Sequence, residues 1–81
     1  MKLGIYTIEK TLFEGEAQKV IATTTTGEIA VLENHIPLVT RLNAGPFKIV
    51  GADGEEKTFD LASGFLEVKP GNNIVVLVDT V

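Results

Sequence analysis

Only one side chain in this 81-residue chain titrates near neutrality unaided: His35, set between Asn34 and Ile36. It has no cysteine and no second histidine with which to complete a metal site, so it reads as a structural or interface residue and not as a ligand or a base. Glu55 and Glu56 are adjacent carboxylates, but neighbours on a strand point to opposite faces and cannot oppose each other across a substrate. Ser63 is the only serine; it precedes Gly64 at an expected bend, with no base beside it. None of the eight glycines falls in a phosphate-cradling pattern, whether Gly-x-x-x-x-Gly-Lys or Gly-x-Gly-x-x-Gly opening a helix. The expectation is a protein with no catalytic residue, no cofactor and no metal.

One segment does not read as plain core. From Gly27 to Leu38 an apolar stretch gives way to polar residues and Pro37, which biases Ile36 to extended backbone. A loop here, held by a rigid sheet, would present Glu28 and His35 outward.

The elements that must hold that loop are strands. The chain has nine Val, seven Ile and nine Thr against six Ala, and β-branched side chains favour the pleated sheet over the helix. Period-two alternation appears in Leu3-Gly4-Ile5, Phe59-Asp60-Leu61 and Leu66-Glu67-Val68, and nowhere do apolar residues keep a helical period for three turns. Turn-forming residues recur at Glu14-Gly15, Thr26-Gly27, Ala44-Gly45-Pro46, Asp53-Gly54, Ser63-Gly64 and Pro70 to Asn73. Asp53-Gly54 suits a tight hairpin with positive φ, and Pro70-Gly71 the centre of a type II turn, each joining antiparallel neighbours. The four threonines Thr23 to Thr26 read as a strand end and a turn. Ile74 to Val78 is apolar at every position, which suits a central strand covered on both faces. The expected fold is all-β: one domain over residues 1–81, a flattened sandwich or barrel of about eight to ten short, mostly antiparallel strands.

Composition sets the outer limits. A chain this short holds one core, and its apolar residues are mostly committed to packing. A net charge of −4 with a single arginine opposes binding to nucleic-acid phosphates. The five apolar residues from Ile74 to Val78 fall far short of the roughly 20 that a membrane-spanning helix needs, so no direct membrane insertion is expected. Met1-Lys2-Leu3-Gly4 opens no signal peptide, which points to a protein made and kept in the cytosol.

Five stretches in order carry a family resemblance: Phe13-Glu14-Gly15; Gly27 to Leu32 followed by His35-Ile36-Pro37-Leu38; Leu42-Asn43-Ala44-Gly45; Gly64-Phe65-Leu66-Glu67-Val68; and Val76-Leu77-Val78-Asp79-Thr80. Together they resemble the N-terminal β-sandwich domain of the ε subunit of F-type ATP synthase, over essentially the whole chain. Three departures stand out: Thr23-Thr24 where the family often has Pro-Gly, Ala30 for the usual glycine, and Glu33 for the usual proline. The family continues past Asp-Thr into a helical hairpin, whereas this sequence stops at Val81, so the hairpin's roles are not carried over.

The resemblance implies a non-catalytic rotor part at the foot of a central stalk, with the γ subunit and the membrane c-ring as partners and no small-molecule substrate. Glu28 resembles the family's c-ring-facing carboxylate, and His35, taken to share its loop, a residue near the c-ring and γ contact. Thr7 and Thr40 match positions that the family turns toward γ. The implied place is peripheral, at the cytoplasmic face of a bacterial inner membrane or, less readily, a plastid thylakoid. A different reading of the same residues is a free-standing β-sandwich that binds a small molecule, although one tyrosine, Tyr6, and no tryptophan leave few stacking platforms for it.

Overall fold

A computed structural model describes residues 1–79 of the chain. Thr80, the last residue of the closing motif, and Val81 lie outside the described residues. The elements are eight strands: β1 (Lys2–Tyr6), β2 (Thr11–Thr24), β3 (Gly27–Leu32), β4 (Leu38–Leu42), β5 (Gly45–Gly51), β6 (Glu56–Leu61), β7 (Gly64–Lys69) and β8 (Asn73–Val78). Every pairing is antiparallel except β1 with β8. The all-β reading therefore stands, at the lower end of the expected strand number.

Strand β2 makes the sandwich. It runs for 14 residues, pairs with β1 through its first half and with β3 and β5 through its second, and slips register between Ala17 and Lys19. An extra residue in one strand bends it and increases its twist, so β2 leaves one layer and enters the other. The first layer runs β4-β7-β8-β1-β2; the second runs β3-β2-β5-β6. Between them lies one core, in which Ile5, Val20, Leu66 and Val76 are fully buried and Val31, Phe47, Ile49 and Ile74 nearly so. Strict alternation in β7, where Gly64, Leu66 and Val68 are buried and Phe65, Glu67 and Lys69 exposed, shows how period two sorts side chains to the two faces.

Several expectations at the turns are met in detail. Gly71 has φ of +83°, as a type II turn after Pro70 requires, and Asn72 follows at +65°. Thr24 is buried at the end of β2: its hydroxyl donates to Gly27 O at 2.7 Å and accepts from Thr26 N at 3.3 Å, so the threonine run closes the β2–β3 turn. Three expectations need correction. Glu14-Gly15 is no turn: Gly15 sits inside β2, where a Cβ would lie 3.2 Å from the Phe13 ring, so close approach and not chain reversal explains the glycine. The Asp53-Gly54 hairpin is wider than a two-residue turn, with residues 52–55 between strands and only Gly54 at positive φ. Strand β8 is central in its layer but covered on one face only: Ile74, Val76 and Val78 point inward, while Leu77 is 55% exposed.

Candidate docking surfaces

Glu28 and His35 do not share a loop. Glu28 is an exposed residue of strand β3, opposite Thr23 of β2, whereas His35 follows the far end of that strand. At roughly 3.3 Å per residue, Glu28 and Leu32 are already about 13 Å apart and His35 lies beyond. The expectation failed because the strand it placed before the loop begins at Gly27, which puts Glu28 in the ladder.

Around Glu28 the surface is a shallow groove that also includes Ile21, Pro46 and Lys48. Lys48 is already engaged with Glu56 at 3.0 Å. The Asn43 amide donates to Thr23 O and the Thr23 hydroxyl to Pro46 O, so the β4–β5 connection is tied to the β2 end that faces Glu28.

His35 sits in a connection fixed from both sides. Glu33 lies 3.2 Å from the Met1 amino group, and the Asn34 amide donates to Asn72 Oδ1 at 2.6 Å. Asn34 adopts φ of +63°, a left-handed conformation that asparagine tolerates better than most residues. His35 is half-buried, and its Nδ1 lies 2.6 Å from Ile36 O; a carbonyl only accepts, so Nδ1 carries the proton in that contact. Ile36 beside it is 75% exposed. Held this way, the connection is a firm apolar and aromatic tip.

Thr7 is employed in its own turn. Its hydroxyl accepts from Glu9 N and Lys10 N at 3.2 and 3.1 Å and lies 3.3 Å from Lys10 O, shaping the β1–β2 connection. Thr40 is half-buried on β4, an edge strand. Thr7 also lines a shallow groove with Tyr6, Ile8, Phe65, Leu77 and Asp79, whereas the Thr40 hydroxyl lies 3.5 Å from the Arg41 carbonyl oxygen. Ser63 donates to Asp79 Oδ2 at 2.9 Å while the Asp79 amide donates to Ser63 O, which makes it a clasp between the β6–β7 connection and the end of β8. Among the described residues, no three His, Cys, Asp or Glu side chains gather as a metal would need.

One exposed face is not anticipated by the sequence reasoning. The outer face of the five-stranded layer is uncovered within the chain and carries an apolar patch bordered by charged side chains. Register places Arg41, Phe65, Leu77 and Tyr6 in one row across β4, β7, β8 and β1, and Val39, Glu67, Val75 and Gly4 in the next. Phe65 is 48% exposed and Val39 66%, and Ile8, in the β1–β2 connection beside them, is 98% exposed. The Arg41 guanidinium lies 5.5 Å from the centre of the Phe65 ring, within reach of a cation–π contact. At the β1 side, the Tyr6 hydroxyl donates to Glu14 Oε2 at 2.9 Å. That hydrogen bond, with some desolvation and the charge of Glu14, holds the Tyr6 phenol above the ordinary value of 10.0. The signal is present in the unbroken apolar run of β8, which fits burial on both faces equally well.

Rows of exposed apolar side chains on a flat, well-hydrogen-bonded sheet are what one protein offers another. Similarity to known proteins gives the family of the fold. A family model described as the β-sandwich domain of the ATP synthase Delta/Epsilon chain matches residues 1–81. An ATP synthase epsilon chain of Xanthomonas oryzae pv. oryzae is 40% identical over 80 residues, covering 99% of this chain and 56% of that relative. One from Chromohalobacter salexigens is 40% identical over 76 residues, covering 94% of this chain and 53% of the relative. The chain thus spans about half the length of the curated relatives it matches. Among solved structures, a chain of the Euglena gracilis mitochondrial ATP synthase superposes with a TM-score of 0.88 at 19% identity, covering 94% of this chain and 48% of that one. A chain of the Tetrahymena thermophila mitochondrial ATP synthase central stalk and c-ring gives 0.79 at 19% identity, over 96% and 62%. At that identity the two structures speak for the fold.

Proposed function

This chain belongs to the β-sandwich family of ATP synthase delta and epsilon chains, and from that premise we propose that it is a non-catalytic piece of the rotor, docking a γ subunit onto a membrane c-ring. The observation that carries the reading is the uncovered apolar face of Val39, Phe65, Leu77 and Ile8, which suits a protein partner and no small solute. Torque must pass through a body that does not yield, and a sandwich whose two layers share a strand and one close-packed core is such a body. No step in that role needs a cofactor or a reacting group.

The γ subunit takes the outer face of the five-stranded layer, with Thr7 at one margin; Thr40 pairs with the buried Leu66, so it faces the inner side of the edge strand β4 and reaches γ only around that edge. Five strands at about 4.8 Å spacing and five residues at about 3.3 Å give a face of roughly 400 Å² in plan, less than the ~800 Å² per side of a standard interface. The β1–β2 connection around Ile8 and the His35–Ile36 tip must therefore extend the contact. Glu28 meets polar loops of the c-ring, where its charge orients the encounter more than it adds affinity. A flat ring meets one end of β3, so the separation of Glu28 from His35 favours Glu28 for the ring and His35 for γ. The complex would sit peripherally at the cytoplasmic face of a bacterial inner membrane, as the bacterial sources of the curated relatives support. The alternative of a free-standing ligand-binding module has neither a deep concavity nor a family match in its favour.

Calorimetric titration of the chain into purified γ subunit tests the reading. The expected result is a one-to-one complex of submicromolar affinity that a Phe65→Ser, Leu77→Ser double variant weakens at least tenfold. Equal affinity of the wild type and the double variant would overturn the assignment of the face, and no complex with the wild type would overturn the role.

A further inference from the structure

Glycine weakens a strand interior, yet β1 carries Gly4 at a fully paired position between β2 and β8. The reason is the residue two places on. Tyr6 lies back along the strand across Gly4, so that a Cβ there would overlap the phenolic oxygen and come within 2.5 Å of Cε2 and Cζ. The ring occupies the space a side chain would take, as aromatic residues do over glycine in other sheets. Its hydroxyl donates at 2.9 Å to Glu14, the residue paired directly with Gly4. Tyr6 is therefore held from below by a missing side chain and at its tip by a charged acceptor.

That ring divides the exposed face. On one side a groove of about 310 Å³ is walled by Tyr6, Ile8, Phe65 and Leu77, with Thr7 and Asp79 at its polar end. On the other a groove of about 560 Å³ passes over Gly4 between Glu14 and Glu16 on one bank and Lys2 and Lys69 on the other. Interfaces concentrate their affinity in a few aromatic anchors, and an anchor already immobilised in its bound pose loses little entropy on docking. A ring that served only to fill a gap in the sheet would not need a neighbouring, mainly apolar groove left open to solvent.

Resting on the γ-docking reading above, we propose that Tyr6, laid over Gly4 and pinned by Glu14, is the pre-organised anchor of that face, and that the groove between Ile8, Phe65 and Leu77 receives an aliphatic side chain of γ. The occupant is γ because this groove is continuous with the row of Arg41, Phe65 and Leu77 already given to it. The polar groove over Gly4 then lies at the rim, where mixed charge tunes orientation.

The test is titration of γ with the wild type and with Tyr6→Ala, Glu14→Ala, Gly4→Ala and Thr58→Ala, each first checked for an unchanged β spectrum and melting temperature. Tyr6→Ala is expected to weaken binding at least tenfold and Glu14→Ala, which frees the ring without removing it, a few-fold. Thr58→Ala, exposed on the second layer, leaves affinity unchanged. Gly4→Ala keeps the phenol but drives it off the strand, so it too weakens binding; if it fails to fold, Glu14→Ala carries the pre-organisation claim alone. Wild-type binding with full affinity in Tyr6→Ala overturns the anchor while leaving the docking reading intact. Absence of wild-type binding removes the docking reading itself. Self-association of the chain at micromolar concentration, abolished by Tyr6→Ala, would give the face to a second copy and overturn the assignment to γ.

Discussion

Replacing Gly64 by Ala should destabilise this protein more than any other single methyl addition on its surface strands. Gly64 opens β7 against the end of β8, and a Cβ there would stand 2.8 Å from Val78 Cα and 2.9 Å from the Leu77 carbonyl carbon, nearer still to its oxygen. Ordinary contact begins at 3.4 Å, so all three atoms lie well inside it, the Leu77 oxygen furthest, and every one of them is backbone. No rotamer change can relieve it; β7 must move off β8. Overpacking costs about 1–3 kcal/mol, and loosening a ladder bond at the Gly64–Val78 end about 1 more, for a total of about 3 kcal/mol. Against a stability of about 4–12 kcal/mol for a domain of this size that is a large fraction, and it corresponds to a fall in Tm of about 12–24 °C. Gly54→Ala supplies the contrast: its φ is +86° but nothing lies within 4 Å, so it should cost only about 1 kcal/mol of backbone strain. Urea unfolding followed by far-ultraviolet circular dichroism measures both. If Gly64→Ala loses no more than Gly54→Ala, close backbone approach is not what selects glycine at that position.

Two further outcomes follow from single side chains. Tyr6 is the only tyrosine and there is no tryptophan, so tyrosinate absorbance reports one group; its titration midpoint should lie above 10.0 and move back toward it in Glu14→Ala. Since folding raises this pKa, the stability it contributes is present below pH ~10 and disappears as pH rises through the folded value; an unshifted midpoint in the folded wild type would contradict the Glu14 contact. Thr24→Val keeps the shape of a buried side chain but leaves the Gly27 carbonyl and the Thr26 amide without their hydroxyl partner, which should cost about 1–2 kcal/mol in urea unfolding and speed amide exchange at Thr26. A change below about 0.3 kcal/mol would mean that water replaces the hydroxyl without loss.

What the sequence made legible was local. β-Branched content and period two named the strands, and the residues that reverse the chain at Thr26-Gly27 and Pro70-Gly71 do so for the reasons their chemistry suggests. What it hid was long-range. Gly15 carries the same letter as a turn glycine, and only the Phe13 ring lying against it, within a strand of 14 residues, shows that it is not one. Glu28 and His35 are seven positions apart whether the intervening residues form a loop or a strand, and the difference decides whether one partner can touch both. Ile74 to Val78 reads alike for a strand covered on both faces and for one whose second face waits for another protein, because periodicity records where water is excluded and not which molecule excludes it. The apolar outer positions of β8, with Phe65 beside them, are therefore the place where that rule fails, since they stay exposed in the chain itself and only the docking proposed above would cover them.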